Sequence, residues 1–122
     1  MNKHGFTLVE VLIVVIILGI LASIGIPQFA ASIEKAKGGE ARAGLGHIQT
    51  GEKVYFAEQE TYVTNAAVLD ISLSQKYWTF AVSVPDSTHY TAIATRLGGT
   101  CEDQVITLDQ DGTIDGNWRH LD

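Results

Sequence analysis

From Gly5 to Phe29 the chain reads GFTLVEVLIVVIILGILASIGIPQF, an apolar run interrupted by one charged residue, Glu10. The stretch from Phe6 to Ile26 is roughly 21 residues, and at about 1.5 Å per residue it would reach ~31 Å as a helix. That length matches the hydrocarbon core of a bilayer, so the segment is long and apolar enough to span one. A lone carboxylate within hydrocarbon is unfavourable by about 2.5–3.5 kcal/mol on insertion scales, which makes a partner for Glu10 a structural requirement.

Two partners satisfy that requirement. Cleavage between Gly5 and Phe6 would leave a free ammonium on Phe6 one helical turn from Glu10, and side chains at i and i+4 face each other. Glu10 would also lie in the first turn, where unpaired N–H groups and the helix dipole favour negative charge. In the other arrangement the ammonium belongs to the next copy of the chain, and repetition of that contact makes a polymer.

Lys3, Gly5, Phe6, Thr7, Leu8 and Glu10, followed by the unbroken apolar run and Pro27, resemble the start of a type IV pilin or of the related pseudopilins of type II secretion. The resemblance implies a five-residue leader, Met1 to Gly5, removed by a prepilin peptidase that then methylates the amine of Phe6. It implies that Glu10 guides assembly of the helices into a filament. It also implies several partners: copies of the chain itself, the inner membrane before assembly, the peptidase, and the machinery of a pilus or a secretion system. The expected location is an inner-membrane single-pass precursor with a cytoplasmic N-terminus, then an extracellular or periplasmic filament. The strong match covers Met1 to about Phe29, and the rest agrees in architecture.

Two other readings of the apolar segment are open. In an ordinary secretory signal, Ser23 and Gly25 would be the small residues before the cut, releasing a soluble exported binding domain; Glu10 would then fall inside the apolar core, and the run exceeds the usual 7–15 residues. The other reading is an uncut single-pass anchor. Lys3, just before the run, favours a cytoplasmic N-terminus in either case. Gly19, Gly25 and Pro27 predict a kink, because glycine is a weak helix former and proline lacks the N–H that Ser23 would receive. In the resembled family this stretch can lose helical order within the filament.

The 122-residue chain leaves about 95 residues beyond the apolar segment, enough for one small domain. Its 14 acidic against 8 basic side chains give a net charge of −6, a sign that argues against general nucleic-acid binding. From Gln28 to about Glu58 the pattern is helical, with Gln28, Ser32, Lys35, Gly39, Arg42, Gly46, Gln49 and Lys53 forming a polar or small-residue stripe. Phe29, Ile33, Ala36, Ala43, Leu45, Ile48, Val54, Tyr55 and Phe56 spread over some 220° on the other side, wider than the roughly 100° that one buried face needs. Such width predicts two contacts, one with a sheet and one with neighbouring subunits. Glu34, Lys37, Glu40 and Glu52 are then either solvated or cross-subunit charges. Gly38, Gly39, Gly44, Gly46 and Gly51 each destabilise a helix by about 1 kcal/mol relative to alanine, predicting a helix held by packing and broken near Gly38.

Residues 59–76 form the connecting segment, with a helical turn capped by Asn65. The period then changes to two. In YWTFAVSV, Tyr77 to Val84, Trp78, Phe80, Val82 and Val84 share one face and Thr79, Ala81 and Ser83 the other. Pro85 to Ser87 turn into a second strand, His89 to Leu97, whose inward face the pattern leaves open. Gln104 to Leu108 and Thr113 to Trp118 complete an antiparallel meander within 77–118. The fold expected is α+β: a long N-terminal helix, membrane-spanning over 6–27 and amphipathic beyond, packed on a meander of three to four strands in a domain spanning 28–122.

Asp109, Asp111 and Asp115 around Gly112 fit a hairpin turn. As a calcium loop the spacing is wrong, since the helix-loop-helix motif needs its glycine at position six; the resemblance keeps calcium open, because some pseudopilins hold it near the C-terminus. Cys101 is the single cysteine, so the C-terminal disulfide usual in type IV pilins does not form within the chain. It reads as a small packed residue, with cross-linking between subunits as the alternative. His47, His89 and His120 show no ligand spacing, and no nucleophile motif is present. The expectation is a structural subunit rather than an enzyme, with no catalytic residue and no cofactor.

Overall fold

The computed structural model describes residues 5–121; Lys3 and the rest of the leader before Gly5 lie outside the described residues. The chain divides into two compact units, Met1–Glu34 and Lys35–Asp122. The second begins at Lys35 rather than at Gln28.

In the first unit, helix α1 (Leu8–Gln59) starts and passes through Pro27. Every large apolar side chain from Phe6 to Ile33 is exposed, Phe6 by 85% and Phe29 by 69%. An all-apolar helix with nothing around it is unstable in water. Two exposed hydroxyls turn back to the helix backbone, Ser23 Oγ to Ile20 O at 2.7 Å and Ser32 Oγ to Gln28 O at 3.0 Å.

In the second unit, α1 continues to Gln59 and ends as Glu60 adopts a left-handed conformation (φ 57°). A 3₁₀ turn follows over Ala66–Leu69, capped by Asn65, whose Oδ1 accepts from Ala67 N at 3.0 Å. Then come β1 (Trp78–Asp86), β2 (His89–Arg96), β3 (Val105–Asp109) and β4 (Ile114–Gly116), all antiparallel in the order β1-β2-β3-β4. The register opposes Phe80 to Ala94 and Val82 to Ala92, with Ile106 and Leu108 beyond them. This resolves the open face of β2: Tyr90, Ala92, Ala94 and Arg96 point into the core.

The face of α1 that packs on the sheet differs from the one its apolar residues suggest. Gly38, Ala41, Gly44, Leu45, Ile48, Gly51 and Glu52 are buried, while Ala36, Ala43 and Val54 are exposed. The physical reason is bulk on the sheet. A Cβ at position 38 would fall on the Trp118 ring, one at 44 on the Phe80 ring, and one at 51 would lie 2.9 Å from Leu69 Cβ. The expected break near Gly38 is therefore absent, because aromatic packing compensates for weak helix propensity there. Trp78 and Trp118 meet edge to face at 5.4 Å, and Trp78 Nε1 donates to Lys37 O at 2.9 Å.

Two charges expected on the surface or between subunits are used within this unit. Glu40 accepts from Lys76 N (2.7 Å), Tyr77 N (2.9 Å) and Ser74 Oγ (2.9 Å), tying the entry of β1 to α1. Glu52 is fully buried; one oxygen accepts from Val63 N at 3.0 Å and the other has no hydrogen-bond partner. Burial raises its pKa, with the Val63 bond opposing. The Tyr90 hydroxyl is likewise buried and unpartnered, and burial with nearby Tyr62 and Glu52 pushes its pKa up to about 12.

Candidate assembly and processing site

The N-terminal end of α1 is closed by Thr7 and Glu10. Glu10 N donates to Thr7 Oγ1 at 3.1 Å, and Thr7 N donates to Glu10 Oε2 at 3.4 Å. This is a reciprocal cap, satisfying two N–H groups that the helix leaves unpaired. The Thr-x-x-Glu spacing before an apolar run was the signal for it, and the charge argument alone passes over it. Glu10 is fully within the exposed apolar surface: Phe6, Val11, Val14 and Val15 line a shallow patch with it. Among the described residues no cation pairs with Glu10, and its only hydrogen bond as an acceptor is the one from Thr7 N. Gly5 is exposed and precedes the helix, with open space where a Cβ would be, so the peptide after it is sterically accessible. Gly19, Gly25 and Pro27 all lie within α1 and are exposed.

The remaining candidates fall apart in space. Asp109 Oδ1 accepts from Asp111 N and Thr113 N, and Gly112 holds a φ of 82°, the geometry of a hairpin turn. Asp115 instead bonds Gly116 N at 2.7 Å, and among the described residues no group of three or more potential ligands is placed to hold a metal. Cys101 is buried, which removes it from contact with another subunit's thiol. His89 Nδ1 lies 2.8 Å from Asp86 Oδ1, holding that carboxyl down to about pKa 2, while His120 packs edge-on against Trp118 at 5.5 Å. His47 is exposed beside an open groove with Glu40 and Asp70.

The uncovered apolar stretch of α1 is long and apolar enough to cross a membrane, and the chain beyond it is a helix-on-sheet unit, an α+β class of protein with an apolar N-terminal helix. A family model of the prokaryotic N-terminal methylation motif matches residues 1–26. A second, described as type IV minor pilin ComP, DNA uptake sequence receptor, matches residues 27–108. The chain belongs to the type IV pilin family. It is 35% identical over 103 residues to the type IV wide pilus major component PilA4 of Thermus thermophilus, covering 81% of this chain and 78% of that one. To the type IV major pilin PilA of Myxococcus xanthus it is 45% identical over 61 residues, 50% of this chain but only 28% of that protein's length. The type II secretion system core protein G of Aeromonas hydrophila is 36% identical over 69 residues, 57% of this chain and 48% of the relative. The crystal structure of the non-core minor pilin PilV of Neisseria meningitidis shares the fold at a TM-score of 0.57 and 24% identity, covering 71% of this chain and 89% of that chain.

Proposed function

We propose that the chain is made as an inner-membrane precursor, cut between Gly5 and Phe6 by a prepilin peptidase, methylated at Phe6, and polymerised into a type IV pilus. The observation that carries this reading is Glu10: a carboxylate in an otherwise unbroken apolar surface, with one oxygen engaged by its own helix cap and one left for a second copy's N-terminus. Polymerisation would cover the apolar helix that is exposed among the described residues, and Gly19, Gly25 and Pro27 give that helix a stretch able to loosen within the filament. The partners are copies of itself and the assembly machinery. Mass spectrometry of sheared surface filaments tests it: the expected N-terminus is methylated Phe6, and an N-terminus at Ile26 or an intact leader would overturn it. Filaments confined to the periplasm would favour a secretion pseudopilus, the reading that the partial match to core protein G supports.

The DNA receptor in the family description suggests a second reading, and one observation favours it. Lys37 and Lys76 lie over the Tyr77 ring at 4.9 and 5.2 Å, two neighbouring cations on an acidic chain. Duplex DNA binding that weakens with salt and is lost on Lys37→Ala with Lys76→Ala would support it; no binding at low salt would exclude it.

A further inference from the structure

The first part of the connecting segment is tied to the rest of the globular unit at one polar point. It leaves α1 at Glu60, left-handed at φ 57°, and ends at Asn65, which caps the 3₁₀ turn. Among the described residues, residues 61–64 make one hydrogen bond outside the segment, from Val63 N to Glu52 Oε2 at 3.0 Å. The Thr61 hydroxyl is used within it, donating to Tyr62 O. The rest of the hold is packing: Tyr62 stacks on Phe56 at 4.7 Å and meets Tyr90 edge to face at 4.6 Å, and Val63 lies against the core.

The tie ends on a carboxyl that lacks a counter-charge. Glu52 is fully buried, and neither its Oε1 nor the buried Tyr90 hydroxyl has a hydrogen-bond partner. The titratable groups that act on Tyr90 beside Glu52 are Tyr62 from the segment and Asp109 from β3, and none of them is a cation. On α1 the residues one turn from Glu52 are Ile48, Gln49, Tyr55 and Phe56, again without a cation, and Lys53 is exposed. An ionised Glu52 is therefore a buried charge offset by one N–H, and lifting the segment gives that charge to water. A neutral Glu52 has no such cost. With the proton on Oε1, Oε2 still accepts from Val63 N.

We propose that Glu52 is a proton-operated latch on residues 61–64, closed while the carboxyl is neutral and released when it ionises, so that Tyr62 leaves Phe56 and Tyr90 and water reaches Glu52. The sign follows from burial, which raises the Glu52 pKa in the closed form above 4.5. Closing then takes up a proton, so it is favoured at low pH and weakened as pH rises through the closed-form value. The opening is local. Leu69, beyond the Asn65 cap, belongs to the core cluster, and the ladders of the sheet do not include residues 61–64. The latch is a property of the globular unit and does not rest on the pilin reading.

Hydrogen exchange of the full-length chain in detergent tests it, with each amide's protection corrected for its intrinsic exchange rate at that pH. From pH 4 to pH 8 the protection of Val63 N–H should fall about ten-fold or more, the scale set by an unsatisfied buried polar group. At pH 8 it should lie well below that of Ala92 and Ile106 in the sheet. Glu52→Gln, which cannot ionise, should hold Val63 protection within about two-fold between the two pH values, whereas Asp109→Asn should keep the wild-type fall. Unchanged wild-type protection at Val63 would overturn the latch whether or not Glu52→Gln folds. An equal fall in Glu52→Gln, or its loss in Asp109→Asn, would assign the proton to another group and overturn it too. Exchange of Ala92 and Ile106 as fast as Val63 at pH 8 would show unfolding of the whole unit in place of a released segment.

Discussion

Replacing Glu52 by glutamine should stabilise the globular unit at neutral pH. The side chain is fully buried, its second oxygen has no partner, and its pKa is raised by burial. A carboxyl whose pKa is higher folded than unfolded contributes most below the unfolded value of 4.5, and that contribution is lost as pH rises toward the folded value. An unsatisfied buried polar group destabilises by about 1–3 kcal/mol. Glutamine keeps the shape and the acceptor for Val63 N and removes the charge. Glu52→Gln should therefore gain about 1–2 kcal/mol at pH 7, a rise of about 4–8 °C per kcal/mol for a unit of this size. The gain should shrink to nothing near pH 4. Thermal unfolding of the full chain in detergent, followed by near-ultraviolet circular dichroism of Trp78 and Trp118, measures it. Lower stability of Glu52→Gln at pH 7, or the same pH slope in both proteins, would refute the reasoning.

Glu40→Ala removes three hydrogen bonds to the entry of β1 and should lower stability by about 2 kcal/mol, with faster amide exchange at Lys76 and Tyr77. Gly38→Ala adds a methyl group where the Trp118 ring lies and should destabilise by about 1–3 kcal/mol despite the better helix propensity of alanine; Gly39→Ala, with open space around it, should be neutral or stabilising. Chemical denaturation of the two variants side by side separates packing from propensity.

The sheet was largely legible, because the alternation of Trp78, Phe80, Val82 and Val84 with Thr79, Ala81 and Ser83 admits one inward face. β2 was not, since Ala92 and Ala94 are small and Thr91 and Thr95 mildly polar; the register with Val82 and Phe80 decides it. The helix misled in a consistent way. Its buried side includes Gly38 and Gly44, which leave room for the rings of Trp118 and Phe80, and Gly51, which leaves room for Leu69 and Ile71. Glu40 and Glu52 were hidden for the same reason: their partners at residues 74–77 and 63 are set by tertiary packing. At the N-terminus the Thr7–Glu10 cap adds the local reason why the carboxylate sits in the first turn.

On the pilin reading, Glu10 is tolerated in an apolar surface because a second copy's amine neutralises it. Electron microscopy of sheared surface material from cells making Glu10→Ala measures this most directly. The chain should still be inserted and trimmed, since removing a charge favours the membrane, yet filaments should be few. Abundant filaments of normal length from Glu10→Ala would contradict the account.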